Sequence, residues 1–413
     1  MKFLANVSSI TENLKPVTEI ATKGVVKDFD YSFKVTLEAK NGELICSAFS
    51  GRLSVKTSIN DVIDTSLGYK CDVEGNVTVS AIDLINCVSS FEPDKQILFD
   101  ANGKTLKISY VDDDSEYQSI PIFPDMIETP IIADEFEKEI KINRSIFLES
   151  VNDIKYAIGF ETTKQRYLYW VLDVKDKQVK FIAGTGGRFA ILDVYSEDTN
   201  NGFVKSDKPY QFFMPKDQTQ VILSILSSIN DDEITIGQAS KKGDKLDQIV
   251  IDTSSLRIVL VGFDPDINWP DISGLLNKKK NYIFQTDSKD WEYATKGLNA
   301  TFTEESKKDH AINQSSLNFD VGKKQITLKS ETTIKSVRKV PITEITKSED
   351  KDITINGLTP YVSEIYVKSS KGDTINLELI DSDSPLFVAY PTSSNDSLGI
   401  KTKLTTFFAA LKG

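Results

Sequence analysis

Imidazole and thiol are almost missing: His310 is the only histidine, and the cysteines are Cys46, Cys71 and Cys87. Without a second histidine, neither a Ser-His-Asp triad nor an ordinary zinc site has its parts. Three scattered cysteines are too few, and odd in number, for a disulfide framework; they read as free thiols of a reducing compartment. No apolar run approaches the ~18 residues needed to cross a bilayer. Nor does Met1-Lys2-Phe3 lead into an apolar stretch of signal-peptide length. The expectation is a cytoplasmic protein that engages no membrane. Positive charge is in deficit, 49 Lys and Arg against 61 Asp and Glu, for a net −12. That balance argues against tight wrapping of nucleic acid, which needs clustered Lys and Arg. It leaves room for a local basic face on an acidic body.

Chemistry-bearing constellations are equally scarce. The acidic runs Asp112-Asp113-Asp114, Asp231-Asp232-Glu233 and Asp264–Asp266 read as solvated turns rather than metal ligands. His310 follows the charged run Glu304–Asp309 and reads as an exposed loop residue. Gly184-Thr185-Gly186-Gly187-Arg188 lacks the Lys-Ser/Thr of a P-loop. It leads into the strand-like Phe189–Val194, where a phosphate site needs a helix N-terminus. A glycine turn between strands and a pocket wall are both open for it. The expectation is a protein that is not an enzyme, with no catalytic residues, metal or cofactor.

What the chain does have is alternation and a repeat. Apolar and polar residues alternate through Tyr31–Glu38, Lys104–Tyr110 and Gln248–Leu260, bounded by turn residues, as in antiparallel strands. Six segments instead carry a helical stripe. They are marked by Ile10, Leu14, Val17 and Ile20; Ile82, Ile85, Val88 and Phe91 behind Ser80 as N-cap; and Ile146, Val151, Ile154 and Ile158. The other three are marked by Ile222, Ile225, Leu226 and Ile229; Trp291, Ala294, Leu298 and Phe302; and Leu358, Val362 and Ile365. Pro16 falls inside the first. The six starts come in pairs about 70 residues apart, and the pairs recur roughly every 140. The chain therefore reads as an α+β protein of three tandem copies: 1–130, 131–278 and 279–391, with a C-terminal extension at 392–413.

On this frame the sequence resembles the bacterial DNA sliding clamp family, the β subunit of DNA polymerase III. Met1-Lys2-Phe3 is similar to the family's first strand, and Phe181-Ile182-Ala183-Gly184-Thr185-Gly186-Gly187-Arg188-Phe189-Ala190 to its Ala-Thr-Asp-Gly-His-Arg-Leu-Ala segment. Asn268-Trp269-Pro270-Asp271-Ile272-Ser273-Gly274-Leu275-Leu276 resembles its Phe-Pro-Asp-Tyr-x-x-Val-Leu-Pro, as does Phe123-Pro124-Asp125-Met126 at the end of the first copy. Leu386-Phe387-Val388-Ala389-Tyr390-Pro391 is similar to its terminal Val-Val-Met-Pro.

The resemblance implies a head-to-tail homodimeric ring with antiparallel sheets outside and two helices per copy facing duplex DNA. Such a ring would tether the replicative polymerase and be opened by a clamp loader. The alternative is a β-rich binding or scaffold protein that encircles nothing. The family's partner-peptide pocket, carried over, would use Leu168, Gly184, Gly186, Gly187, Arg188, Phe189, Pro270, Leu275, Val388, Tyr390 and Pro391. Gly187 stands for a family His, Phe189 for Leu, Gly274 for Arg and Tyr390 for Met, so peptide preference is expected to differ. DNA would face Lys15, Lys23, Arg144, Lys155, Arg166, Tyr167, Lys216, Lys296, Lys368 and Lys371; the second helical segment offers no cation. The subunit interface would join Tyr117 to Trp291, both also suited to core packing. Lys278-Lys279-Lys280 reads as a charged linker. In the extension, Leu404, Phe407, Phe408 and Leu411 fall at helical spacing. Two readings are open there: a helix packed on the third copy, or a segment that docks in the clamp pocket and competes with partners.

Overall fold

The structure is a computed structural model. It describes residues 1–23, 33–60, 68–124, 136–158, 169–175, 178–185, 187–196, 203–206, 209–239, 247–261, 269–301, 314–331, 335–348, 351–358, 374–390, 393–395 and 400–408.

One string of elements occurs in full twice, and a third time as far as the described residues show it: a strand, a helix, a three-strand meander, a short strand, a strand, a helix and a second meander, the second helix of the third copy falling outside the described residues. The first copy is β1 (Lys2–Asn6), α1 (Val7–Lys23), β2 (Lys34–Lys40), β3 (Glu43–Phe49), β4 (Leu53–Asn60), β5 (Lys70–Val73), β6 (Gly75–Ser80), α2 (Ala81–Ser89), β7 (Gln96–Ala101), β8 (Thr105–Tyr110) and β9 (Tyr117–Phe123). The second is β10 (Lys138–Asn143), α3 (Arg144–Ile154), β11 (Tyr169–Lys175), β12 (Gln178–Gly184), β13 (Arg188–Ser196), β14 (Val204–Lys205), β15 (Tyr210–Pro215), α4 (Lys216–Ser227), β16 (Glu233–Ala239), β17 (Gln248–Asp252) and β18 (Leu256–Val261). A one-turn helix, α5 (Ser273–Leu276), precedes the third copy. That copy is β19 (Tyr282–Asp287), α6 (Ser288–Asn299), β20 (Gln314–Asp320), β21 (Gln325–Glu331), β22 (Lys335–Pro341), β23 (Glu344–Lys347), β24 (Ile353–Leu358), β25 (Thr374–Leu379), β26 (Leu386–Ala389), β27 (Ser393–Asn395) and β28 (Ile400–Phe408).

Local chemistry explains the helices. Ile10, Leu14, Val17 and Ile20 are fully buried on one face of α1. Pro16 removes the donor for the Glu12 carbonyl, and the next carbonyl, that of Asn13, accepts the Thr57 hydroxyl of β4 at 2.9 Å. Ser80 caps α2 by accepting from the Asp83 amide at 3.3 Å, as expected of an N-cap serine. Asp287 caps α6 through the Lys289 and Asp290 amides. The sixth expected helix is different at its start: Leu358 closes strand β24, and Val362 and Ile365 lie outside the described residues.

By compactness the chain forms two units. One comprises Met1–Leu148, Lys205–Asp207 and Pro215–Asp266; the other comprises Glu149–Val204, Lys208–Met214 and Ile267–Gly413. Within the first, β18 runs antiparallel to β4, with Leu256 opposite Thr57 and Leu260 opposite Leu53. Within the second, β28 runs antiparallel to β13, from Arg188 opposite Phe408 to Ser196 opposite Ile400. The same rule governs both: the last strand of one copy pairs with the third meander strand of the copy before it.

This rule corrects the reading of the tail. Ile400–Phe408 is a strand and not a helix, and in sheet order β19-β25-β26-β28 it holds the place that β18 holds in β10-β16-β17-β18. It is paired on both sides, with β13 and with β26. The strand pairing of this sheet therefore extends past residue 391 to Phe408. Four β-branched residues, Ile400, Thr402, Thr405 and Thr406, favour strand here, against a helical spacing that arises by coincidence.

Candidate docking cleft and open strand edges

The expected pocket residues fall into two groups on opposite faces of one sheet. On one face Phe189 and Ile191 of β13, Phe387 of β26 and Phe407 of β28 form a buried apolar cluster. Trp269, Ile272, Leu275 and Leu276, from α5 and the segment before it, pack against this cluster together with Ile182 and Ile380. Phe407 stacks on Phe189 with ring centroids 4.9 Å apart and lies 5.2 Å from Phe387. Gly184, opposite Phe189 in the β12–β13 register, leaves room for that ring; a Cβ there would collide with it. Leu275 joins this wall as expected, and Pro270 lies half-buried in the segment leading to it.

Side chains alternate between sheet faces, so the neighbours of these residues look the other way. Tyr390 and Arg188 lie near the buried phenol of Tyr156, which follows α3, and burial there holds that phenol well above its ordinary pKa. Val388 is fully buried, opposite Thr406. Val388 and Tyr390 thus lie on the sheet face opposite Phe387 and Phe407. Sequence reading did not single out Phe387 or Phe407 because it did not expect Ile400–Phe408 to be a strand of this sheet. Gly187 is described beside Arg188, whereas Leu168, Gly186 and Pro391 lie outside the described residues.

Among the described residues, two strands have no partner under this rule. β22 is an edge strand that pairs only with β21 among the described residues. β9 pairs with β8 and touches β6 only through Ile122 and Phe123, leaving its Tyr117 end open on that side. Exposed apolar side chains mark both edges. Val337 on β22 is 57% exposed and Tyr293 on the adjoining α6 is 70% exposed; Tyr117 on β9 is 59% exposed and Ile82 on the adjoining α2 is 45% exposed. The Arg338 guanidinium lies 5.5 Å over the Tyr293 ring. Trp291, expected at an interface, is 1% exposed and belongs to the core of its unit; Tyr293 is the surface aromatic of that helix.

The expected basic residues are not equivalent. Lys15 and Lys155 are exposed, and Lys155 donates to Asn152; the side chain of Lys23 lies outside the described residues. Lys296 is ion-paired with Glu292. Arg144 serves a structural role, contrary to expectation: its guanidinium donates to Leu226 O at 2.9 Å and Asp231 O at 2.5 Å, holding the C-terminal end of α4. Lys216 is likewise buried, and burial lowers its pKa. Arg166, Tyr167, Lys368 and Lys371 lie outside the described residues.

Three tandem α+β copies, interlocked strand to strand, define the class of protein. Over its full length this is the fold of the bacterial DNA polymerase sliding clamps. The chain matches the sliding clamp from Bacillus subtilis with TM-score 0.76 at 12% identity, covering 100% of this chain and 99% of that one. It matches the DNA polymerase III subunit beta from Pseudomonas aeruginosa with TM-score 0.75 at 14% identity, covering both chains in full. A Helicobacter pylori beta clamp bound to a DNA ligase peptide matches with TM-score 0.71 at 14% identity, again over both whole chains. No family model and no curated protein matches the sequence.

Proposed function

We propose that this chain is a DNA sliding clamp, a processivity factor with no catalytic activity of its own. Two copies join head to tail, enclose duplex DNA and tether the replicative polymerase in the cytoplasm after a clamp loader has opened them. The observation that carries this reading is the pairing rule. Applied once more, it joins β22 of one chain to β9 of another, a heterologous contact that closes when repeated between two copies. Exposed aromatics at both edges suit such a contact, since large aromatics supply interface hot spots. The apolar cleft around Phe189, Phe387 and Phe407 suits a short linear peptide with apolar anchors. The solved Helicobacter pylori clamp with its ligase peptide is a precedent for peptide docking on this fold. Lys15, Lys23, Lys155 and Lys296, with Arg166, Tyr167, Lys368 and Lys371, face DNA weakly in this reading, as a ring that must slide requires.

Sedimentation and DNA retention test the proposal. A dimer of twice 46.1 kDa is expected, together with salt-sensitive, short-lived binding to linear duplex. Once loaded on nicked circular DNA the protein should stay bound and leave when the circle is cut. A monomer at all concentrations, or tight sequence-specific binding to short linear DNA, overturns it; a monomer would return the chain to the scaffold reading.

A further inference from the structure

Lys280 does not behave as a residue of a charged linker. Its ammonium donates to the carbonyls of Leu275 at 3.4 Å and Leu276 at 3.2 Å, the last two residues of α5. The same ammonium lies 3.6 Å from the centroid of Phe387, the β26 ring of the buried apolar cluster. Its own carbonyl accepts from the Lys347 ammonium of β23. At the other end of α5, Asp271 accepts from the Ser273 amide at 2.9 Å and from the Ser273 hydroxyl. Burial is the largest influence on Lys280 and holds its pKa below the ordinary lysine value. Lys278 and Lys279, by contrast, are exposed.

A single helical turn has no stability of its own, because nucleation costs more than one turn returns. The position of α5 is therefore set by what holds its ends and its apolar face. Lys280 supplies the C-terminal hold, where a cation also complements the helix dipole, and ties that end to the Phe387 ring by a cation–π contact. Ile272, Leu275 and Leu276 are the wall residues that this contact fixes.

We propose that Lys280 is a positioning residue for partner docking: it latches the α5 wall onto Phe387, so that the cleft keeps its shape before a peptide arrives. This rests on the peptide-docking reading above. The partner class it implies is a short linear peptide with an apolar side chain that packs on the half-buried α5 wall of Ile272, Leu275 and Leu276. Pre-organisation of this kind raises affinity by removing the cost of ordering the wall at the moment of binding.

The test compares the whole wild-type protein with Lys280→Met, which keeps the aliphatic stem, and Lys280→Arg, which keeps cation and donors. Hydrogen exchange at the Leu276 and Asn277 amides, which donate to Ile272 and Ser273, reads the latch directly. A fluorescein-labelled peptide carrying Leu followed closely by Phe reads docking by anisotropy. Lys280→Met is expected to speed exchange at those amides at least tenfold and to weaken the peptide five- to twentyfold, with an unchanged dimer. Lys280→Arg is expected to restore most of both. Unchanged exchange in Lys280→Met overturns the latch, as does faster exchange with undiminished peptide affinity. Failure of the wild-type protein to bind the peptide at all, with slow exchange at α5, overturns the docking reading instead and takes the positioning role with it.

Discussion

Phe407 and Phe189 face each other across the β13–β28 ladder and stack with planes 17° apart. One ring comes from the second copy and the other from β28 of the third, so this aromatic pair joins two copies within one buried apolar cluster. Either ring replaced by Ala should cost about 3–5 kcal/mol, as for other buried Phe truncations. A double-mutant cycle on Phe189→Ala and Phe407→Ala, read by denaturant unfolding, should return a coupling of about 0.5–1.5 kcal/mol. Strict additivity would mean that the stack is geometry without energy.

The place of Ile400–Phe408 inside a sheet leads to a sharper expectation for truncation. A chain ending after Ser397 loses a strand that is paired on both sides and leaves β13 and β26 with open edges, which are sites for aggregation. Such a protein should be insoluble or molten. If the segment were a displaceable plug, the shortened chain would stay folded and bind partner peptide more tightly. Solubility and near-ultraviolet circular dichroism distinguish the two before any peptide is added.

At the open edges, Val337→Asp on β22 and Tyr117→Asp on β9 put charge on exposed positions. Each should yield folded monomers of 46.1 kDa with melting temperatures near that of the wild-type protein. Trp291→Asp should instead unfold its unit, because the side chain is 1% exposed. Dimers that survive both edge substitutions would rule out the β22–β9 joint.

The three-copy α+β architecture was legible in the sequence because it is written in periodicity. The buried faces of α1, α3 and α4 carry the apolar stripes that their spacing announces, and Ser80 caps where a cap was expected; α2 instead buries Ala81, Leu84, Cys87 and Val88 and leaves Ile82 exposed. The cleft was legible only in part. Gly184, Phe189 and Leu275, named from the resemblance, lie at one apolar cluster, but Phe387 and Phe407 of that cluster were not named, since choosing them requires knowing that Ile400–Phe408 is a strand. Leu404, Phe407 and Phe408 fit both a helical face and a strand, and only pairing with β13 decides. Arg144 and Trp291 show a different limit: residue type suggested a surface role, and three-dimensional neighbours assigned a structural one.

Arg144 should therefore separate from the other cations in a DNA-binding series. Arg144→Met removes two charge-assisted hydrogen bonds to carbonyls at the end of α4, a loss of about 1.5–3 kcal/mol for a bond to a charged group. It should lower thermal stability and leave the salt dependence of DNA binding intact. Lys15→Met, on an exposed side chain of α1, should do the reverse and flatten the dependence of log affinity on log salt. Equal loss of salt dependence in both variants would return Arg144 to the DNA-facing set.

The thiols supply a final, pH-dependent check on burial. Cys46 sits fully buried in β3, and burial raises its pKa from 9.0 to about 12, partly offset by the Thr57 hydroxyl. Thiolate is the reactive form, so at pH 8 iodoacetamide should modify the half-buried Cys71 first and Cys87 more slowly. Burial and the Asp83 charge raise the Cys87 pKa. Cys46 should stay unmodified until the protein is denatured. The linkage has a definite sign. The folded state holds its Cys46 proton more tightly than the unfolded state, so the stability this contributes is complete below pH 9. It is lost progressively as pH rises towards 12. Cys46→Val keeps the site filled without a proton to lose, and should flatten the fall in unfolding free energy between those limits. A variant that loses stability over that range as steeply as the wild-type protein would show that other groups govern the alkaline transition.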